Sequence, residues 1–347
     1  MPRLRLTRAS LLGSALFIIS VVAFLYVVLP KVVGLGRTWD RLEQGNVWWL
    51  AVAFLLEVLS YVGYVAIFRG VFVAGAGRIG WRASYEITMA GLAATRLFAA
   101  AGAGGIALTA WALRRAGMAR KTVAQRMVAF LVIVYGVYML ALVLVGLGLY
   151  VGLLPGSAPF AITVIPALFG VVAIVLFLTI ALLPGDFEAL VDRWVRGNGL
   201  VGGFARRLAS VPDAAAGGVR TAIALLRTRD PALLGAIGWW GFDIATLWAC
   251  FHAFGASPAK SVIVMAYFVG WLANTLPLPG GVGAVEGGLI GSFTAFGVGV
   301  QTAIVAVLAY RAFSFWLPTL PGGVAYLQLR RTLNRWRQED GAPGYTL

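Results

Sequence analysis

Cysteine and histidine are almost missing from this chain of 347 residues: there is one of each, Cys250 and His252. A single cysteine excludes an internal disulfide, and one of each leaves no ligand set for a Cys/His zinc site. Cys250 reads as a small apolar side chain within a helix. His252 reads as an interfacial residue near a helix end. Charge is scarce too, at 12% of residues against about 25% in soluble domains. The 13 acids are scattered, and the lone histidine has no evident partner. No paired-acid, metal or nucleophile–base set emerges, so neither an enzyme nor a cofactor is expected.

What is present is hydrophobic, at 61% of residues. Apolar runs long enough to span a bilayer occupy 11–29, 47–68, 127–150, 160–183, 231–254 and 301–328. The first follows Arg3, Arg5 and Arg8 and is too long for a signal-peptide core, so it reads as a retained helix. Two more segments, 84–112 and 259–297, are apolar but interrupted. The net charge of +15 sits in clusters between the apolar runs. That placement reports orientation and contact with anionic lipid, not nucleic-acid binding.

Basic residues prefer the cytoplasmic side. Arg69, Arg78 and Arg82 precede the segment 84–112, and Arg114, Arg115, Arg120, Lys121 and Arg126 follow it. Both flanks are therefore inside, and the segment enters and returns as a re-entrant hairpin. The loop 151–163 has no Lys or Arg and is external; 184–230 holds seven arginines and is internal. Nothing basic lies between 261 and 310, so 259–297 is a second hairpin, entering from outside. Six spans with both termini cytoplasmic result. The mildly basic loop 30–46, expected outside, fits this scheme least well.

The two interrupted segments echo each other. Met89-Ala90 matches Met265-Ala266 and Gly104-Gly105 matches Gly280-Gly281, both at an offset of 176; Gly117 and Thr122 match Gly297 and Thr302 at 180. The helix before each hairpin carries one acid, Glu57 or Asp243. The expectation is an all-α polytopic membrane protein with an inverted repeat, six spanning helices and two re-entrant hairpins. The halves are 47–183 and 231–329 of a single domain over 1–329, joined by the linker 184–230 and followed by a basic, then disordered, tail over 330–347. The tail is taken as disordered after Arg337. In the linker, Phe187, Leu190, Val191, Trp194 and Val195 form one apolar helix face, capped by Asp186, which predicts an interfacial helix.

Residues 272–288 concentrate the candidate chemistry. Pro277, Pro279, Gly280, Gly281 and Gly283 cannot share one continuous helix, and broken backbone at membrane depth must line a cavity or be covered by protein. A half-helix starting near Gly283 aims free N–H groups at an anionic group. The dinucleotide fingerprint is excluded there, because its third glycine and its strand–helix unit are missing. Intramembrane ionisable groups are Glu57, Glu86, Arg96, Asp243, Glu286 and Arg311, each costing about 2.5–3.5 kcal/mol at the bilayer centre, hence paired or functional. Glu86, near a segment end, is expected at the interface. Arg96 and Arg311 suit phosphate oxygens. Glu286 caps the half-helix, pairs with an arginine, meets a cationic substrate group or carries a proton. Glu57 and Asp243 are candidates for charge pairing or coupling, and Asn274 for support of the broken backbone or ligand contact.

Asn274, Pro277, Pro279-Gly280-Gly281, Gly283, Glu286, Gly297 and Tyr310-Arg311 resemble the lysylphosphatidylglycerol synthase transmembrane-region family, the flippase-like integral membrane proteins. Arg96, Gly104-Gly105 and Ala112 to Gly117 carry a weaker likeness. The best-known members, the multiple peptide resistance factors, add a soluble aminoacyl-transferase domain, and residues 330–347 are too few to form one. The resemblance therefore implies the translocating half alone. The expected function is movement of a phosphate-bearing lipid between leaflets of a bacterial cytoplasmic membrane: an anionic or aminoacylated phospholipid, or a polyprenyl-phosphate-linked lipid. Substrate contact is assigned to Arg96, Gly104, Gly105, Asn274, Pro277, Pro279, Gly280, Gly281, Gly283, Glu286 and Arg311. Truncating Glu286 or Arg311 to alanine is expected to abolish transport without harming the fold. The rivals are an ion-coupled carrier of a small solute and a non-catalytic partner of a lipid-modifying enzyme. A homo-oligomer is a further expectation.

Overall fold

Asn46 starts the first described helix. Its side-chain oxygen accepts from the N–H groups of Trp48 (3.0 Å) and Trp49 (3.4 Å), two of the four donors a helix start leaves unpaired. A computed structural model describes residues 44–73, 78–97, 103–182, 215–275 and 281–341; these are helices and turns, with no strand among them. In chain order the helices are α1 (Val47–Phe72), α2 (Trp81–Leu97), α3 (Ala103–Arg115), α4 (Arg120–Tyr150), α5 (Phe160–Ala181) and α6 (215–228). A 3-10 turn, Pro231–Leu234, leads into α7 (Gly235–Ala253), and α8 (Lys260–Trp271) runs into a second, Leu272–Thr275. Then come α9 (Ala284–Ala295), α10 (Val300–Arg311), a π turn (Ala312–Trp316) and α11 (Thr319–Gly341).

Five stretches among the described residues are long and apolar enough to cross a membrane: α1, α4, α5, α7 with its 3-10 lead, and Val300–Glu339. They fall on five of the six expected spans. The other expected span, 11–29, lies outside the described residues, as do 98–102 at the tip of the first expected hairpin, Pro277, Pro279, Gly280 and the expected interfacial helix. α1, α4 and α5 turn large apolar side chains outward, among them Leu55, Val62, Leu144, Leu168 and Val172. A soluble protein rarely leaves a belt of that kind in water.

The two interrupted segments fold as helix pairs, α2 against α3 and α8 against α9. α8 and α9 have 12 residues each. At 1.5 Å per residue that is about 18 Å, well short of a hydrocarbon core of about 30 Å. Close approach is made the same way in both pairs. A Cβ on Gly105 would lie 2.6 Å from the carbonyl of Gly91, and one on Gly288 would lie 2.5 Å from the carbonyl of Gly270. By packing, the counterpart of Gly105 is thus Gly288, not the Gly280-Gly281 pair that the sequence offset selects. The second legs also end alike. Gly117 (φ +94°) and Gly297 (φ +88°) take the left-handed conformation, and the next N–H reaches back five residues, Met118 to Leu113 (3.2 Å) and Val298 to Phe293 (3.0 Å).

α1 and α7, each the helix before one of these pairs, form the most extensive helix–helix contact among the described residues. Ser60 Oγ donates to Trp239 O (2.9 Å) across it. α4 packs on α5, and α11 lies along α2.

One expectation gains a partner here and one changes. Glu86, expected at the interface, faces another helix. It is fully buried and accepts from Arg82 Nε (2.9 Å) and Thr332 Oγ1 (2.7 Å), pinning α2 to α11. Its place near a segment end says nothing of which face it occupies, and its face meets α11. The chain is also helical to Gly341, past Arg337, because Leu329, Leu333 and Trp336 extend the buried stripe of α11.

Candidate functional site

Proline shapes the first part of the site. Pro318 has no N–H, so the carbonyl four residues earlier, on Ser314, loses its ordinary helical donor. The chain widens there into the π turn, a form frequent at functional sites. The released carbonyls are taken by side chains from elsewhere. Ser314 O accepts from Arg96 Nη2 (2.7 Å) and Tyr61 Oη (2.9 Å), and Phe315 O accepts from Arg96 Nη1 (3.1 Å). Arg96 Nη2 also lies 2.9 Å from Tyr61 Oη. Arg96 thus ties the end of α2 to α1 and to the π turn.

Arg311 closes α10 just before that turn. Its Nε lies 2.7 Å from Glu286 Oε1, with both side chains almost fully buried (2% and 3% exposed). Glu286 Oε2 accepts from the N–H of Gly283 (2.7 Å), so the acid caps α9 and holds it to α10 together. The Phe315 ring serves both guanidinium groups, with Arg311 Cζ 4.6 Å and Arg96 Cζ 5.4 Å from its centroid.

The third part is a pair of acids. Glu57 on α1 and Asp243 on α7 are both buried and stand across the α1–α7 seam, between the Ser60–Trp239 bond (2.9 Å) and the Thr246–Ala53 bond (3.4 Å). Asp243 Oδ2 accepts from Tyr310 Oη (2.8 Å) and from Tyr267 Oη. Glu57 Oε2 and Asp243 Oδ1 have no hydrogen-bond partner among the described residues.

These parts surround one cavity of about 480 Å³. Glu57, Asp243, Arg96, Arg311, Asn274 and Gly281 line it. Its apolar walls are aromatic: Tyr64, Tyr135, Tyr138, Trp239, Trp240 and Trp271. Its lining also includes Ile106, Tyr135 and Phe169, each 40–48% exposed on the outer faces of α3, α4 and α5. The charged inner end is therefore continuous with the apolar outer belt.

Of the residues proposed for substrate contact, Arg96, Gly105, Asn274, Gly281 and Arg311 come together on this lining. Gly104, Gly283 and Glu286 do not line it, and Pro277, Pro279 and Gly280 lie outside the described residues. Gly281 (φ +66°) sits where a Cβ would be 2.3 Å from Asn274 Oδ1, so the Asn274 side chain packs close on Gly281. Glu57 and Asp243, named only for pairing or coupling, are the acids that face the cavity. Sequence reasoning missed Tyr61, Tyr267 and the Ser314 and Phe315 carbonyls. Tyr61 was within reach, standing four residues from Glu57 on one helix face. Pro318 and Pro321 in the last span were a second available signal. Among the described residues no cluster of three or more His, Cys, Asp or Glu could hold a metal.

The sequence profile of the lysylphosphatidylglycerol synthase TM region matches residues 10–322. The chain belongs to that family. Curated relatives are similar over shorter stretches. A UPF0104 membrane protein of Methanothermobacter thermautotrophicus is 38% identical over 91 residues, 26% of this chain and 26% of the relative. A UPF0104 membrane protein of Methanocaldococcus jannaschii is 30% identical over 95 residues, 27% and 28% of the two. The matches thus span about a quarter of these relatives' length. Family and apolar helices together make this a multi-pass membrane protein of the lysylphosphatidylglycerol synthase TM-region type.

Proposed function

We propose that the protein moves a phosphate-bearing lipid between the leaflets of a bacterial cytoplasmic membrane, as a carrier and not as an enzyme. The observation that carries this reading is the cavity that joins buried charge to an apolar outer face. Its volume of about 480 Å³ lies in the range of small-ligand sites, about 300–1,000 Å³. That suits a headgroup. The acyl chains remain in lipid, since drawing them out costs about 0.8 kcal/mol per CH₂.

Arg96 and Arg311 supply the positive charge of the cavity and face the phosphate. Glu57 and Asp243, with the aromatic walls, suit an amine on the same headgroup. Among the lipids considered, this favours the aminoacylated phospholipid, and the same chemistry extends to a zwitterionic one. α2–α3 and α8–α9 act as re-entrant hairpins from opposite faces and open the site alternately. Both termini lie on the cytoplasmic side, where the arginine-rich linker meets anionic lipid and offers a contact for a lipid-modifying enzyme.

The test is a dithionite-quenching assay in proteoliposomes carrying fluorescent phosphatidylethanolamine. The protein should raise the transbilayer rate at least tenfold over empty vesicles, and Asp243→Asn should remove most of that gain. A wild-type rate equal to that of empty vesicles would end the proposal.

A further inference from the structure

The acid pair holds a problem that its own geometry poses. Ionised carboxylates have acceptors only, so two of them on one cavity wall offer each other no donor unless one carries a proton. Glu57 and Asp243 stand so, across the α1–α7 seam between the Ser60–Trp239 and Thr246–Ala53 bonds. Both are buried, at 2% and 5% exposure, and Glu57 Oε2 and Asp243 Oδ1 receive no donor from the described residues. Two bare charges side by side at membrane depth would repel in a medium that screens them poorly.

The charged and titratable neighbours leave both bare oxygens without a donor. On α1, Tyr61 stands within reach of Glu57, but its hydroxyl hydrogen goes to Ser314 O and Oε2 stays bare. From α2, Arg96 acts on Glu57 electrostatically while its N–H groups go to Tyr61, Ser314 O and Phe315 O. From α10, Arg311 acts on Asp243 while its Nε is on Glu286 of α9, and Tyr310 reaches Asp243 Oδ2. Tyr267 of α8 reaches that same oxygen, not Oδ1. On α7, Cys250 lies beside both acids without bonding either of the two bare oxygens. From α4, Tyr138 gives its hydroxyl to Phe268 O, and Tyr135, which lines the same cavity, reaches neither bare oxygen.

The pair also lines the headgroup cavity. A proton and a headgroup ammonium are therefore two cations for one place. We infer that Glu57 and Asp243 form a proton-exchange site, holding one shared proton when the cavity has no amine and releasing it when a lipid ammonium takes its place. This rests on the translocation reading. Its consequence is antiport: one amine-bearing lipid crosses in one direction for each proton crossing in the other. Protons balance, because the pair carries either the proton or the ammonium through the change of access; a zwitterionic lipid is net neutral, so each exchange moves one positive charge with the proton. The two acids stand on α1 and α7, the helices that precede the two hairpins, so movement of the halves against each other acts directly on the contact between them.

Two measurements test it. The first uses proteoliposomes with fluorescent phosphatidylethanolamine or, separately, fluorescent phosphatidylglycerol, at equal pH and then with a gradient of one unit. With the membrane potential held at zero by valinomycin and equal potassium, and the fluorophore on the acyl chain so that the amine is free, one-for-one exchange drives phosphatidylethanolamine to a leaflet ratio of about tenfold per pH unit, while amine-free phosphatidylglycerol stays even. Scrambling at equal pH with no asymmetry under the gradient overturns the antiport and leaves translocation standing. No scrambling in either condition overturns both. The second is infrared difference spectroscopy on the purified wild-type protein, which needs no transport. The carbonyl band of a protonated carboxyl should weaken on adding phosphatidylethanolamine, and be missing from Glu57→Gln. If no wild-type band responds to the amine lipid, the shared proton is refuted even where the variant does not fold.

Discussion

Cutting Glu286 back to alanine tests the central ion pair. Arg311 and Glu286 are 2% and 3% exposed and 2.7 Å apart, so the truncation strands a guanidinium inside the protein. Breaking a buried pair in this way costs about 3–5 kcal/mol. The N–H of Gly283 loses its acceptor as well, and an unpaired buried donor costs about 1–3 kcal/mol. The two losses share one residue and do not simply add. Even the lower figure of about 3 kcal/mol lowers the folded-to-unfolded ratio by more than about a hundredfold. The expectation that truncation spares the fold therefore fails on burial, which the sequence does not display.

The discriminating variant is the double one, Glu286→Ala with Arg311→Met. It removes both charges and leaves an apolar side chain of similar length, so stability should return to within about 1–3 kcal/mol of wild type, the remainder being the uncapped Gly283. Charge reversal, Glu286→Arg with Arg311→Glu, restores a pair but not the cap, and should recover less. Sodium dodecyl sulfate titration in bicelles, followed by tryptophan fluorescence, reads these differences. The reasoning is refuted if Glu286→Ala unfolds at the wild-type detergent fraction, or if the double variant is no more stable than the weaker single one.

Two other outcomes follow from the same geometry. Pro318→Ala returns an N–H to the helix beneath Ser314 O; it should loosen Arg96 and Tyr61 and slow lipid movement several-fold without loss of stability, and an unchanged dithionite rate would count against the π turn's role. Gly105→Ala places a Cβ 2.2 Å from Thr95 Oγ1 and 2.6 Å from Gly91 O, so separating α2 from α3 should cost about 1–3 kcal/mol in the same bicelle titration, and full stability would contradict the close packing.

Much of the architecture was legible because the bilayer reduces it to simple rules. A span needs about 20 apolar residues, and five of the expected spans have such helices. Prolines and glycines between 276 and 283 forecast a break, and Gly117 and Gly297 marked matching helix ends. The paired acids Glu57 and Asp243 were found by the same logic, since charge in hydrocarbon is rare. Their orientation was not legible. Arg96 and Arg311 suited phosphate on sequence alone; both line the cavity, and each is also bound within the protein, Arg96 to carbonyls and Arg311 to Glu286. For Glu286 the sequence allowed a cap, an arginine partner, a substrate contact or a proton carrier, and it takes the first two, clamping α9 to α10.

By itself the sequence determined the helical class, the positions of the breaks and the short roster of intramembrane charges. Each follows from local composition against the cost of exposing backbone and charge to hydrocarbon. Only the tertiary structure decided which charges are spent on holding the fold and which face the cavity. The partners are too far apart for any local rule: Arg96 meets a carbonyl 218 residues away, and Thr332 reaches Glu86 across 246.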